Sequence, residues 1–224
     1  MIRRDYILRM IEECIRALAR INSLKQGQRW NEASAELDAE FKKLIGNDAR
    51  AIARLSESDL MARLMQDGPT YALRDKTLIL TTLLKEAGDL AAAEVRTEES
   101  RECYLKALHL LLGTLASGEV FEYPEFVPKV EMIVTALQST PLPSRTHAML
   151  MQHYERTGQF AKAEDAFHAL LDTEPANDAI VEFGSAFYQR LLTQSEAALN
   201  EANLPHAEVE QGLKELQGRQ KRRT

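Results

Sequence analysis

Residues 144–177 read SRTHAMLMQHYERTGQFAKAEDAFHALLDTEPAN, and the spacing within this stretch decides the fold class. Leu150 and Tyr154 stand four apart, so they share one face of a helix. Gly158 falls where that pattern stops, and a residue free to take positive φ closes a helix there. The pattern resumes at Phe160. Small Ala163 lets the second helix approach the first, Phe167 fills the joint between them, and Pro175 stops the second helix. The stretch predicts two helices folded back on each other.

Its length of 34 residues, with Leu150, Tyr154, Gly158, Phe160, Ala163, Phe167 and Pro175 at these spacings, resembles a tetratricopeptide repeat. The resemblance implies an α-solenoid of stacked hairpins whose first helices line a concave groove for a peptide or protein. Three positions depart from the pattern: His147 replaces a large aromatic residue, Met151 a small one and Leu170 an alanine. A poorer match begins near Arg74, with Leu80, Leu84, Gly88, Leu90 and Ala93 in place. Tyr104 and Ala107 come seven residues late, which an insertion over 94–100 and a long helix over 89–116 would absorb. The opening MIRRDYI, with the helical pattern that follows, also resembles an uncharacterised bacterial family of unknown function. That second resemblance implies no activity, substrate or partner.

Outward from the hairpin, glycine and proline punctuate the chain as helix ends do. Gly27, Gly46, Gly68, Gly88, Gly118 and Gly158 close apolar periodic segments, and no proline precedes Pro69. The β-leaning run 77–82 is enclosed by helical spacing, so almost no strand is expected. A first helix runs from about Asp5 to Gln26 with Ile7, Ile11, Cys14, Leu18 and Ile21 on a heptad seam, widened by Leu8 and Ile15. The seam serves either a homodimer or packing within the chain. A second helix covers roughly 31–45, entered by Trp30. A third starts at a capping-box pattern, Ser56 to Asp59, and ends at Gly68-Pro69. Further helices are expected near 125–138 and over 178–203, the last as a cap. The expectation is all-α: a helical N-terminal subdomain over 1–69, repeats with a capping helix over 70–204, and a partly disordered tail over 205–224.

Composition excludes several function classes. With 34 acidic against 28 basic residues the formal net charge is −6, so no global basic field exists to hold nucleic acid, and none is expected as a partner. The tail residues Arg219, Lys221, Arg222 and Arg223 form a short basic end without interleaved aromatics. No run approaches the ~20 apolar residues of a membrane span, and charges interrupt the N-terminus where a signal peptide needs an apolar core. A cytoplasmic protein is expected. Cys14 and Cys103 each lie alone in apolar helical patterns, which predicts buried, reduced thiols. The five histidines lack zinc spacing, and no glycine-rich phosphate loop or nucleophile elbow occurs.

No catalytic, cofactor or metal site is therefore expected, and the chain reads as a binding module. The groove candidates are Arg145, Ala148, Gln152, Glu155 and Arg156 in the better unit and Leu78, Thr82, Lys85 and Glu86 in the poorer one. Two other readings compete. One is a ligand sensor or enzyme with a pocket between the N-terminal helices and the repeats; the other is a structural homo-oligomer.

Overall fold

The computed structural model describes residues 2–66, 72–117 and 123–221, with side chains over 6–66, 72–117 and 123–219. Every element among them is a helix. The chain forms two compact units, Met1–Pro141 and Leu142–Thr224. This division falls between two helices, after Pro141.

The first unit contains α1 (Ile2–Gln26), α2 (Trp30–Ile45), α3 (Ala49–Arg54), α4 (Glu57–Gln66), α5 (Leu73–Ala93), α6 (Thr97–Ala116) and α7 (Val130–Ala136). Two hairpins, α1/α2 and α5/α6, dominate its packing, and α2 joins them by lying against α5. The short α3 and α4 pack on the hairpins. Ser56 and Asp59 form the predicted capping box: Ser56 Oγ accepts from the Asp59 amide at 3.1 Å, and the Asp59 carboxylate accepts from the Ser56 amide at 3.3 Å. The second unit contains α8 (Ser144–Arg156), α9 (Phe160–Thr173), α10 (Asp178–Leu191), α11 (Glu196–Glu201) and α12 (His206–Lys221). Here α8/α9 form the hairpin read from sequence, α10 packs on α9, and α12 packs on α10.

One turn joins each of the three main hairpins and recurs at Asn203, where the Leu204 amide reaches back to the Leu199 carbonyl at 3.0 Å. In each hairpin a residue with positive φ sits between the helices: Gln28 at 56°, Val95 at 59° and Gly158 at 71°. The next amide reaches back five residues, Arg29 to the Leu24 carbonyl at 2.9 Å, Arg96 to Ala91 at 2.8 Å and Gln159 to Tyr154 at 2.8 Å. That is the bond that closes a Schellman cap and satisfies carbonyls a helix end leaves open. Five and nine residues beyond the positive φ come a small residue and a large one, Ala33 and Leu37, Ser100 and Tyr104, Ala163 and Phe167, all buried. The hairpins repeat in geometry although their sequences barely do.

This repetition corrects the register of the poorer match. Gly88 is not a turn glycine; α5 runs through it to Ala93, and the turn falls at Val95, seven residues later. Measured from Val95, Ser100, Tyr104 and Ala107 occupy the places of Ala163, Phe167 and Leu170, so no insertion exists. What Gly88 supplies is closeness. A Cβ on it would lie 2.6 Å from the Tyr104 ring, and its carbonyl accepts from Ser100 Oγ at 2.9 Å. Gly184 and Gly212 do the same beneath Phe167 and Tyr188, where a Cβ would run into the rings.

Other expectations shift as well. The helix near 125–138 shrinks to α7, because residues 123–129 form a loop that Tyr123 ties by donating its hydroxyl proton to the Pro128 carbonyl at 2.6 Å. The long final helix is broken at 192–195, and Ser195 caps the new start by accepting from the Ala198 amide at 3.2 Å. Where a loose tail was expected, α12 buries Val209 and Leu216. Gly68-Pro69, Gly118, Arg222 and Arg223 lie outside the described residues, as does the Lys221 side chain.

Candidate interaction surface

The second unit presents the first set of groove candidates together. Leu150, Tyr154, Phe160, Ala163 and Phe167 are buried where α8 and α9 meet, Gly158 makes the turn, and Pro175 lies two residues beyond the end of α9. With those residues turned inward, the 3.6-residue period sends Arg145, Gln152 and Arg156 to the opposite side of α8, where all three are exposed. Ala148 and Met149 lie half-buried between them. The departures His147, Met151 and Leu170 do not open the hairpin: Met151 and Leu170 are buried, and burial holds the His147 ring below the usual histidine range.

Glu155 has a different role from the free groove position expected of it. Arg190 on α10 donates to it through Nε at 2.6 Å and Nη2 at 2.8 Å. The paired geometry joins α8 to α10 and holds the guanidinium above its ordinary pKa, chiefly through those bonds. Half-exposed as it is, the pair orients the helices more than it stabilises them. Nothing near Glu155 in sequence announces Arg190, 35 residues away. The aromatic joint beside it, Phe167, Phe187 and Tyr188, has ring centroids 5.3–6.5 Å apart. Tyr188 donates to Glu164 at 2.7 Å, and burial together with that bond pushes the phenol up.

The candidates in the first unit do not form a groove wall. Leu78 and Thr82 are buried, and the Thr82 hydroxyl donates to the Leu78 carbonyl at 3.0 Å and meets the Phe126 carbonyl at 3.5 Å. The loop 123–129 therefore covers this face of α5. Lys85 and Glu86 belong to a network that also holds Lys25 and Asp89. Lys25 Nζ donates to Glu86 at 2.6 Å and Asp89 at 2.7 Å, Lys85 Nζ to the same two at 3.1 and 2.9 Å, and the Tyr104 hydroxyl to Asp89 at 2.8 Å. Burial opposes the charge on Asp89, but the bonds from Lys25 and Lys85 outweigh it and keep the carboxyl below the usual carboxylate range. Two cations and two carboxylates balance here, so the network ties α1 to α5 and α6 and offers no net charge to a partner.

The seam on α1 is also largely used within the chain. Cys14, Leu18 and Ile21 are buried against the unit's own helices, Ile7 and Ile11 are half-buried, and Leu8 and Ile15 point outward at 47% and 45% exposure. Cys103 is buried as expected, and both thiols are pushed up to about 12, mainly by burial. Among the described residues no group of three or more histidine, cysteine, aspartate or glutamate side chains could hold a metal ion, and no helix is long and apolar enough to cross a membrane.

Helices paired into hairpins by a common turn define an all-helical protein. Its sequence matches that of a family of unknown function, DUF6483, over residues 1–221, and the chain belongs to that family. Searches of curated proteins and of solved structures returned no match.

Proposed function

We propose that this chain is a non-enzymatic protein-interaction module, similar in build to tetratricopeptide-repeat adaptors, and that it holds a peptide or protein segment on the outward face of α8. The observation that carries the reading is the threefold use of one hairpin turn, with a small residue and a large one at fixed distances beyond it. In the α8/α9 copy of this hairpin the first helix keeps an exposed outward face, the kind of surface such repeats use for recognition. On α8 that face offers Arg145, Gln152 and Arg156 at i, i+7 and i+11 along about three turns, enough for a short segment. Paired Glu155 and Arg190 set the position of the neighbouring helix beside it.

A photo-crosslinking amino acid placed at Gln152, in cells of the native source, tests this directly. Labelling of one protein at Gln152, competed by excess unmodified chain and missing when the crosslinker is moved to exposed Asp172 on α9, is the expected result. Equal labelling from both positions, or none from Gln152 in a chain that remains helical, would overturn the proposal.

A further inference from the structure

The inner seam of α1 is spent within its own unit, but its outward side is not. Six large apolar residues are exposed among the described ones, and three of them, Tyr6, Leu8 and Ile15, stand on α1. Leu8, half-buried Ile11 and Ile15 are spaced i, i+3 and i+7, so they form one line along the helix. Arg9, Glu12 and Arg16 repeat that spacing one residue later and form a second line beside it, all three exposed.

The charged line is uncommitted. One turn further along, Arg20 is paired with Glu36 on α2, and Arg29, Lys43 and Arg96 elsewhere in the unit also have carboxylate partners. Arg9, Glu12 and Arg16 have none among the described residues. Their signs alternate, so a copy of the same helix can satisfy them. The two lines also decide its direction. In a parallel pair, related by an axis along the helices, the charged flank of one copy would face the apolar flank of the other. In an antiparallel pair each flank meets its own kind, and a two-fold axis makes the contact self-complementary. With that axis between Met10 and Ile11, Arg9 of each copy stands level with Glu12 of the other, and Leu8 of each falls between Ile11 and Ile15 of the other.

We propose that a second copy of this chain covers this face, in an antiparallel two-fold pairing of α1 with α1. The aliphatic line supplies the attraction. The contacts of Arg9 with Glu12, exposed at the rim, set direction and register more than affinity. One helix face is small beside the ~800 Å² that a standard interface buries on each partner, so the dimer is a weak one that forms in the micromolar range. The surface rests on unit-one residues alone, so its failure would leave the α8 face untouched.

Sedimentation velocity on the full chain across the micromolar range tests it. A concentration-dependent shift from monomer to dimer is expected. Leu8→Lys and Ile15→Lys, both at exposed positions, should each weaken the dimer about tenfold or more, because each change removes two apolar side chains from the pair. Far-UV circular dichroism should stay that of the parent. Arg9→Glu and Glu12→Arg should each weaken the dimer as well, since like charges then face each other, and an equimolar mixture of these two variants should dimerise more strongly than either alone. The mixture is decisive. Each change moves the formal net charge of −6 by two, to −8 and −4, so bulk attraction between the variants cannot mimic the local pairing. The proposal is overturned by a chain that remains monomeric throughout, by a dimer that Leu8→Lys and Ile15→Lys both leave intact, or by a mixture no stronger than its components.

Discussion

Replacing Gly88 by alanine sets two physical effects against each other, and the structure decides which wins. In an exposed helix interior the change stabilises by about 1 kcal/mol, because alanine loses less backbone entropy. At Gly88 the new methyl carbon would lie 2.6 Å from one carbon of the Tyr104 ring and 2.7 and 2.9 Å from two others. The ring is not free to yield, since its hydroxyl is fixed to Asp89 at 2.8 Å, and Asp89 is fixed in turn by Lys25 and Lys85. Overpacking of this kind costs about 1–3 kcal/mol, and freeing the tyrosine hydroxyl about 1–2 kcal/mol more. A net destabilisation of about 2 kcal/mol is expected. Urea unfolding followed through Trp30, the single tryptophan and a residue of the same unit, measures it. The decisive comparison is the double variant with Tyr104→Ala, where the alanine methyl has room and the two changes should couple by at least about 1 kcal/mol. Additivity within about 0.5 kcal/mol, or stabilisation by Gly88→Ala alone, would refute the claim that Gly88 exists for the approach of Tyr104.

Three further outcomes follow from the same geometry. Val95 carries a β-branched side chain at φ 59° and is 82% exposed, so Val95→Gly should raise stability by about 0.5–1 kcal/mol and Gly158→Val should lower it, as read by thermal or urea unfolding. Asp89 has a depressed folded pKa, so the unfolded chain takes up its proton more readily; the stability it contributes is present above about pH 4 and is lost as pH falls through the folded value. Asp89→Asn should therefore weaken the protein at neutral pH and flatten the acid limb of its stability profile, and a limb as steep as that of the parent would count against the network. The thiols of Cys14 and Cys103, pushed up to about 12, should react with a disulfide reagent at pH 8 only after denaturant is added; prompt labelling of the folded chain would contradict their burial.

The hairpin of α8 and α9 was readable residue by residue, because its turn residue is a glycine and its joint is marked by an aromatic. The same turn at Val95 was hidden by its own side chain: valine gives no sign of positive φ, whereas Gly88, seven residues earlier, gives a false one. Helix α12 was hidden for another reason. Its buried face needs only Val209, Gly212 and Leu216, and the stripe becomes apolar only once Tyr188 is laid upon the glycine. Of the proposed binding face, Arg145, Gln152 and Arg156 followed from period alone, while the capture of Glu155 by Arg190 did not.

Spacing and turn chemistry by themselves determined that this chain is helical, where its best hairpin folds, and which side of α8 faces out, since those properties depend on neighbours a few residues apart. Only the tertiary structure decided that Thr82 and Lys85 are covered, that the inner seam of α1 is spent on its own unit, and that Leu8 and Ile15 are left outside it. Each of those depends on which distant segment arrives at a surface, and burial is settled by the arriving atoms, not by the sequence they cover.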